Sequence, residues 1–264
     1  MPKISVYIIA FNESEKIRAA IESVLWADEI LLIDSHSSDG TSEIAQSLGA
    51  AVHHIKFQGY GKLRNEALKL CQYEWIFSLD ADERCTPEVR DEILSIIGQS
   101  RSRDLYFVPR RNYFMGRWIR HSGWYPNYRQ PQLFRRGKMH YDTLPVHEGF
   151  VSLSDQTPGV LQNSVWQFPF KNVGEVLRKA DKYSTLGAQK ISTKKIRPID
   201  VIAHAVWAFL KHYLFKRGFL DGWPGFVIAL GNFDGTFYRY LKAMESARAT
   251  DWAEPRQDPI RRNL

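Results

Sequence analysis

The amino-terminal third of the chain alternates between short apolar runs and polar segments with helical spacing. Residues 4–10 (Ile-Ser-Val-Tyr-Ile-Ile-Ala) are almost wholly apolar, the pattern of a strand buried on both faces. Residues 29–34, 51–55 and 75–80 read as three further short strands. Between them Ile17, Ala20, Ile21, Val24 and Leu25 recur at helical spacing, and further helices are expected over about 42–48 and up to Leu70. Asn12 with Glu15 predicts a capping box at the first helix, and Thr86-Pro87-Glu88 predicts an N-cap with Pro at the first helical position. Strands alternating with helices predict a parallel sheet with right-handed crossovers. Later strands are expected at 104–109 and 132–136 and a helix around 174–192. From Pro198 the chain reads as helical and apolar, broken by Gly and Pro into pieces too short to span a bilayer.

Acids fall at the carboxyl ends of these strands: Asp34 after the second, Asp80 and Asp82 after the fourth. Ligands of open α/β sheets bind at that edge. Asp80 and Asp82 at one strand exit suit a hard divalent cation, Mg²⁺ or Mn²⁺, that takes oxygen ligands and bridges to substrate phosphates. Lys62 and Arg64 lie near a helix start, where phosphate is also favoured. The chain has no Gly-x-Gly-x-x-Gly and no Walker A sequence, so neither a dinucleotide nor a P-loop nucleotide is indicated.

Length and charge narrow the picture. With 264 residues the chain is long enough for one large α/β domain, or one domain with an appendage. Two cysteines, Cys71 and Cys85, form neither a disulfide framework nor a metal-site spacing, which implies a reduced, cytoplasmic setting. The start Met1-Pro2-Lys3 runs directly into a strand pattern without a signal peptide. The net charge is +7, with basic clusters between Arg101 and Lys138 and again between Lys190 and Arg217. Such patches suit anionic partners. Residues 112–128 interleave aromatics, among them Trp124, with Arg117, Arg120 and His121, a composition for sugar rings and for phosphate or carboxylate. No RNA- or DNA-binding module accompanies them, so nucleic acid is not an expected partner.

Four segments, Ile-Ile-Ala-Phe-Asn-Glu (8–13), Asp-Ser-His-Ser-Ser-Asp-Gly-Thr (34–41), Gly-Lys-Leu-Arg-Asn-Glu-Ala-Leu (61–68) and Leu-Asp-Ala-Asp-Glu (79–83), resemble the ordered motifs of family 2 inverting glycosyltransferases. The resemblance implies an α/β fold of GT-A type, a mixed sheet flanked by helices, here with a C-terminal helical extension. It implies that Ala10, Phe11, Asn12, Glu13 and Asp34 hold the uracil end of a UDP-sugar. Lys62 and Arg64 would lie by the nucleotide and Asp80 by the ribose, with Asp82 the principal metal ligand. Asp39 matches a motif position too and reads as a turn-holding residue. A base for the acceptor hydroxyl is then needed. Glu148 of Pro-Val-His-Glu-Gly (145–149) is the first choice, with Asp142 and Glu83 as competitors and His147 orienting the acceptor or touching the metal or diphosphate. Trp124 and Arg120 are candidates on the acceptor side. In the family a His commonly stands at the place of Gln167; the neutral amide can still coordinate, but more weakly.

Lys216 to Gly222, continuing to Phe237-Tyr238-Arg239-Tyr240, resembles the C-terminal signature of the lipopolysaccharide or lipooligosaccharide core β-glucosyltransferase subgroup. The expected layout is a catalytic domain over 1–170 (nucleotide-sugar half 1–110, acceptor half 111–170), a helical extension over 171–250 and a tail over 251–264. The resemblance implies hexose transfer, glucose by first choice, from a UDP-sugar to an anionic lipid-linked core glycan. The basic and aromatic helical region suggests a peripheral position on the cytoplasmic face of the inner membrane. The alternatives are a polyprenyl phosphate or protein acceptor, or a nucleotide-sugar-binding relative without activity.

Overall fold

A computed structural model describes residues 2–126, 128, 130–143, 149–191 and 196–247. The chain forms two compact units: residues up to 120 with 124–169, and residues 121–123 with those from 170 onward.

In chain order the first unit runs β1 (Ile4–Ala10), α1 (Ser14–Glu22), β2 (Glu29–Asp34), α2 (Thr41–Ser47), β3 (Ala51–His54), α3 (Tyr60–Leu70), β4 (Trp75–Asp80), β5 (Glu83–Arg84) and α4 (Pro87–Ile97). It continues through β6 (Leu105–Phe107), β7 (Arg110–Phe114), β8 (Arg117–Trp118), β9 (Leu133–Arg135), β10 (Met139–Tyr141), β11 (Phe150–Ser152), β12 (Gly159–Val160) and β13 (Val165–Gln167). The main sheet has the order β12-β6-β9-β4-β1-β2-β3. β1 pairs parallel with β2 and β4, and β2 parallel with β3. β9 runs antiparallel between β4 and β6, which makes the sheet mixed. A smaller sheet has the order β5-β13-β7-β8, and β10 and β11 form an antiparallel pair.

β1 is buried along its whole length because both faces of the sheet are covered. Its residues Ile4, Val6 and Ile8 join a core with Ile17 and Ile21 of α1 and Val89 and Ile93 of α4. Tyr7 and Ile9, on the other face, join Leu63 and Ala67 of α3 with Phe134 and Tyr141. Full burial of each such side chain contributes roughly 1.5–3 kcal/mol. The apolar run therefore sets the register that fixes the strand ends.

The helix starts differ in how they are capped. α4 starts as expected: Thr86 Oγ1 accepts from Val89 N at 3.3 Å and Pro87 follows. The capping box expected at α1 does not form. Glu13 stands at the N-cap without a side-chain cap bond, and Asn12 takes a left-handed φ of 55°. Asn12 Oδ1 instead accepts from Ser38 N at 2.9 Å, on the loop after β2, and Asn is among the residues that tolerate the left-handed region. The strand expected over 104–109 is shorter, Leu105–Phe107.

In the second unit α5 (Val173–Gln189) starts at Asn172, whose Oδ1 accepts from Glu175 N at 2.9 Å. α6 (Pro198–Leu210) passes into a π-helical turn over Lys211–Phe215, a short 3₁₀ turn over Gly218–Asp221, and α7 (Trp223–Ala247). The core here is small: Ala188, Ile196, Val201 and Ala243, with Phe237, Tyr240 and Leu241 packed around them. Buried Asp221 accepts from His121 N at 3.0 Å, and its other oxygen lies 3.1 Å from His121 Nδ1. Among the described residues no helix is long and apolar enough to cross a membrane.

Candidate active site

Parallel pairing brings the strand ends together. Ala10 of β1 stands opposite Asp34 of β2, and Ile9 stands opposite Asp80 of β4. The order reverses at β1, so this edge is the switch point of the sheet, where open α/β folds bind ligands.

The Asp34 side is tied into one unit by hydrogen bonds. Asp34 is fully buried; its carboxylate accepts from Ser37 N at 2.9 Å and from the Ser37 hydroxyl, and lies 3.1 Å from His54 Nδ1. Asn12 N donates to Ser37 Oγ at 2.8 Å, and Glu13 N to Thr41 Oγ1 at 2.9 Å. Asp39 accepts from Ser14 N at 3.0 Å and from Thr41 N at 3.1 Å. Slight burial pushes the Asp39 carboxyl up, but bonds from Thr41 and Ser14 outweigh it and hold it below its usual range. The loops after β1 and β2 are thus stapled together, while Phe11 is left exposed between them.

The Asp80 side rests on a buried arginine. Arg64 of α3 donates through Nη2 to Asp80 Oδ1 at 2.6 Å and through Nη1 to Ser78 Oγ at 2.9 Å. Burial alone would lower its pKa; Asp80, Tyr7 and Tyr141 reverse that and keep the guanidinium charged. The Tyr141 ring lies 5.5 Å from the guanidinium, and the Tyr7 and Tyr141 hydroxyls meet at 2.7 Å. Lys62, two residues earlier, is exposed. α3 is also clasped to β10: Asn65 Nδ2 donates to Tyr141 O at 2.9 Å, and Tyr141 N to Asn65 Oδ1 at 2.8 Å. Gly61 permits this approach, since a Cβ there would stand 1.9 Å from Asp142 O.

Beyond Asp80 the chain turns through Asp82 into β5. Asp82 is partly exposed, and Gln167 Nε2 of β13 lies 3.3 and 3.4 Å from its two oxygens. Phe168 N donates to Asp82 O at 2.8 Å. Glu83, the third acid of the cluster, points the other way and is fully buried. It accepts from Asp80 N at 3.0 Å, from Gln132 Nε2 at 2.8 Å and from Arg110 Nε. Burial raises its pKa; Arg110 opposes this, while Asp80 and Asp82 add to it. A carboxylate enclosed in this way serves as a strut for the turn, so Glu83 does not compete as base. Arg84 secures the same turn from below, donating to Ala81 O at 3.0 Å and Lys16 O at 3.0 Å.

On the smaller sheet Asn112 Nδ2 donates to Trp124 O at 2.8 Å, and the Trp124 ring lies 5.9 Å from Phe114. Arg120 and Arg111 lie 4.3 and 4.5 Å from the Trp118 ring, a stacked cationic surface. His147 and Glu148 lie outside the described residues. The positions that flank them are joined, Asp142 N donating to Gly149 O at 2.9 Å.

Arg110, Gln132, Ser78 and His54 were not among the residues expected from sequence. For His54 a signal existed: it ends β3 in register with Asp34. Arg64 is an expected residue in an unexpected place: its helical spacing with the apolar positions Ala67 and Cys71 puts it on the buried face of α3.

The protein is thus a mixed α/β sheet with acids gathered at its switch point, the ligand edge of open α/β folds. The chain belongs to glycosyl transferase family 2, whose model matches residues 5–153, and it is a glycosyltransferase. It is 32% identical to the lipopolysaccharide core biosynthesis glycosyltransferase LpsC of Rhizobium meliloti (strain 1021), over 92% of this chain and 92% of that protein. It is 29% identical to an uncharacterized glycosyltransferase of Rickettsia felis, over 93% of this chain and 91% of that one. Glucosyl-3-phosphoglycerate synthase from Mycobacterium tuberculosis, solved with Mn²⁺, UDP-glucose and phosphoglyceric acid, overlaps 42% of this chain and 44% of its own, with 22% identity and a TM-score of 0.37. At that score the overlap bears on neither donor nor metal.

Proposed function

We propose that the protein transfers glucose from UDP-glucose, with inversion at the anomeric carbon, to a hydroxyl of a lipopolysaccharide core glycan. The observation that carries this reading is the alignment of Ala10, Asp34 and Asp80 at the switch point, with Asp82 on the turn beyond. The similarity to LpsC over nearly the whole chain supports the core-glycan acceptor. A lipid-linked acceptor in turn places the enzyme at the cytoplasmic face of the inner membrane.

In this reading the stapled loops at Asn12 and Asp34 bind the uracil end, and Asp80, braced by Arg64, binds the ribose. The acceptor oxygen forms the new bond to C1, the C1–O bond to UDP breaks, and UDP leaves with the electron pair. The hydroxyl proton passes to the Glu148 carboxylate. A divalent cation offsets charge on the leaving diphosphate when bound. The donor set fits one: Asp82 offers a carboxylate from the protein and the diphosphate offers the rest, the usual sharing for Mg²⁺. Gln167 bonds Asp82 through an amide whose rotation would present its oxygen instead.

The test is transfer from UDP-glucose to core oligosaccharide by Asp82→Ala and Glu148→Gln. Each is expected to lose roughly 10³-fold or more in turnover, several kcal/mol of transition-state stabilisation, while keeping a native melting curve. Normal turnover by both would end this assignment. Turnover only with a polyprenyl phosphate acceptor would move the acceptor class and leave the donor site standing.

A further inference from the structure

The second unit keeps large apolar side chains in solvent along one continuous line. On α6, Ile199, Ile202 and Val206 recur at helical spacing, and all three are exposed, as is Trp207 at 54%. The opposite side of the same helix carries the buried Val201 and Ala205. The π-helical turn over Lys211–Phe215 prolongs the line. In an α-helix the residue seven on lies two turns further along the same face. A π-turn inserts one residue, so Phe215, eight on from Trp207, takes that place. The two rings are in contact, with centroids 5.4 Å apart, and Phe215 is 69% exposed.

The charges along this stretch are one-sided. Residues 196–230 contain two acids, Asp200 and Asp221. Asp200 accepts from Arg197 N at 2.9 Å and Nη2 at 3.0 Å, and Asp221 is buried against His121 and Ser122. Lys211 and Arg217 are exposed, and Lys211 follows Trp207 by four residues, one turn on along the same face.

We propose that α6 and its π-turn form an in-plane anchor for an anionic lipid surface. Ile199, Ile202, Val206, Trp207 and Phe215 enter the headgroup boundary, and Lys211 and Arg217 meet the headgroup charge. This rests on the reading that the acceptor is lipid-linked, and it names the surface that reaches the bilayer. At 13 residues α6 is about 20 Å long, too short for a hydrocarbon core of about 30 Å, so it lies along the membrane. An exposed apolar stripe edged by Trp and basic residues is the composition of such helices. Charge also decides against a second copy of this chain as the occupant. A two-fold contact through this face would set Lys211 and Arg217 against their own kind.

The test is co-sedimentation of the full chain with vesicles of phosphatidylcholine alone and of roughly three parts phosphatidylcholine to one of phosphatidylglycerol. The wild type is expected to bind the anionic vesicles, more weakly at high salt. Trp207→Ser with Phe215→Ser is expected to bind about tenfold or more weakly, and Lys211→Glu with Arg217→Glu to lose the anionic preference. Leu25→Ser, at an exposed apolar residue of the first unit, is expected to change nothing. Binding by the apolar pair equal to wild type would overturn the proposal, as would equal affinity for both vesicles. A wild-type dimer that the apolar pair dissociates would also overturn it. Should the apolar pair melt early, the charge-reversed variant decides. UDP-glucose binding without vesicles separates the two readings: donor binding with no vesicle binding overturns the anchor alone, and the reverse overturns the donor site alone.

Discussion

The two units handle apolar surface in opposite ways. In the first, β1 and β4 are sealed on both sides by helices, and even the polar residues at the strand ends are built into a bonded frame. In the second, the described residues form a core cluster of Ala188, Ile196, Val201 and Ala243, while Trp207, Phe215 and Trp223 face solvent. The first unit uses burial to fix atoms at the sheet edge. The second holds its apolar side chains outside, available to a surface. A catalytic centre needs its groups held to within fractions of an ångström, whereas an interfacial helix needs only the right composition on one face.

The contrast breaks most readily at matched aromatic residues. Phe77→Ala in β4, where the side chain is fully buried, is expected to lose about 3–5 kcal/mol in urea unfolding. Trp207→Ala on α6 is expected to stay within about 0.5 kcal/mol of wild type. Comparable losses from the two would show that Trp207 is a core residue. Arg64→Ala is next in size. It leaves Asp80, itself mostly buried, without its guanidinium, and a loss of about 3 kcal/mol is expected in the same assay. A change under about 1 kcal/mol would mean that Arg64 does not brace the site.

The smallest effects come with acid. Asp39 in the first unit has its pKa lowered by Thr41 and Ser14, and Asp200 in the second is brought to about 2 by Arg197. Both groups bind protons more weakly when folded, so each contributes stability that is complete above the unfolded carboxylate pKa and is lost as pH falls through the folded value. Amide protection at Ser14 and Thr41, taken relative to the intrinsic exchange rate at each pH, should therefore fall on acidification, and the start of α6 should persist to about pH 2 at Asp200. Protection at Ser14 that is unchanged by acid would remove Asp39 as the staple.

How much was legible in the sequence follows from where each feature is encoded. β1, β2 and β4, and the acids that end β2 and β4, are readable because two-sided burial writes a nearly unbroken apolar run, and the run stops where the site begins. Partners distant in sequence were not. β9 lies beside β4 through pairs such as Ile76 with Phe134, which no local pattern specifies. For the same reason Glu83 read as one more acid of a cluster, although Arg110 and Gln132 enclose it. Arg64 read as a phosphate cation, although it braces Asp80 from inside the fold. Asn12 read as a cap because the loop it bonds, at Ser38, arrives only after β2 is in place. The π-turn after α6 was not legible either, since Lys-His-Tyr-Leu-Phe continues a helical pattern without a breaker.

We propose that the Asp80–Asp82 turn holds a nucleotide sugar together with a divalent cation. Calorimetric titration of UDP-glucose into the wild type and Asp82→Ala, each with Mn²⁺ and with EDTA, tests it most directly. Binding that requires the cation in the wild type and is lost in Asp82→Ala is expected. Binding of equal strength in all four titrations would contradict it.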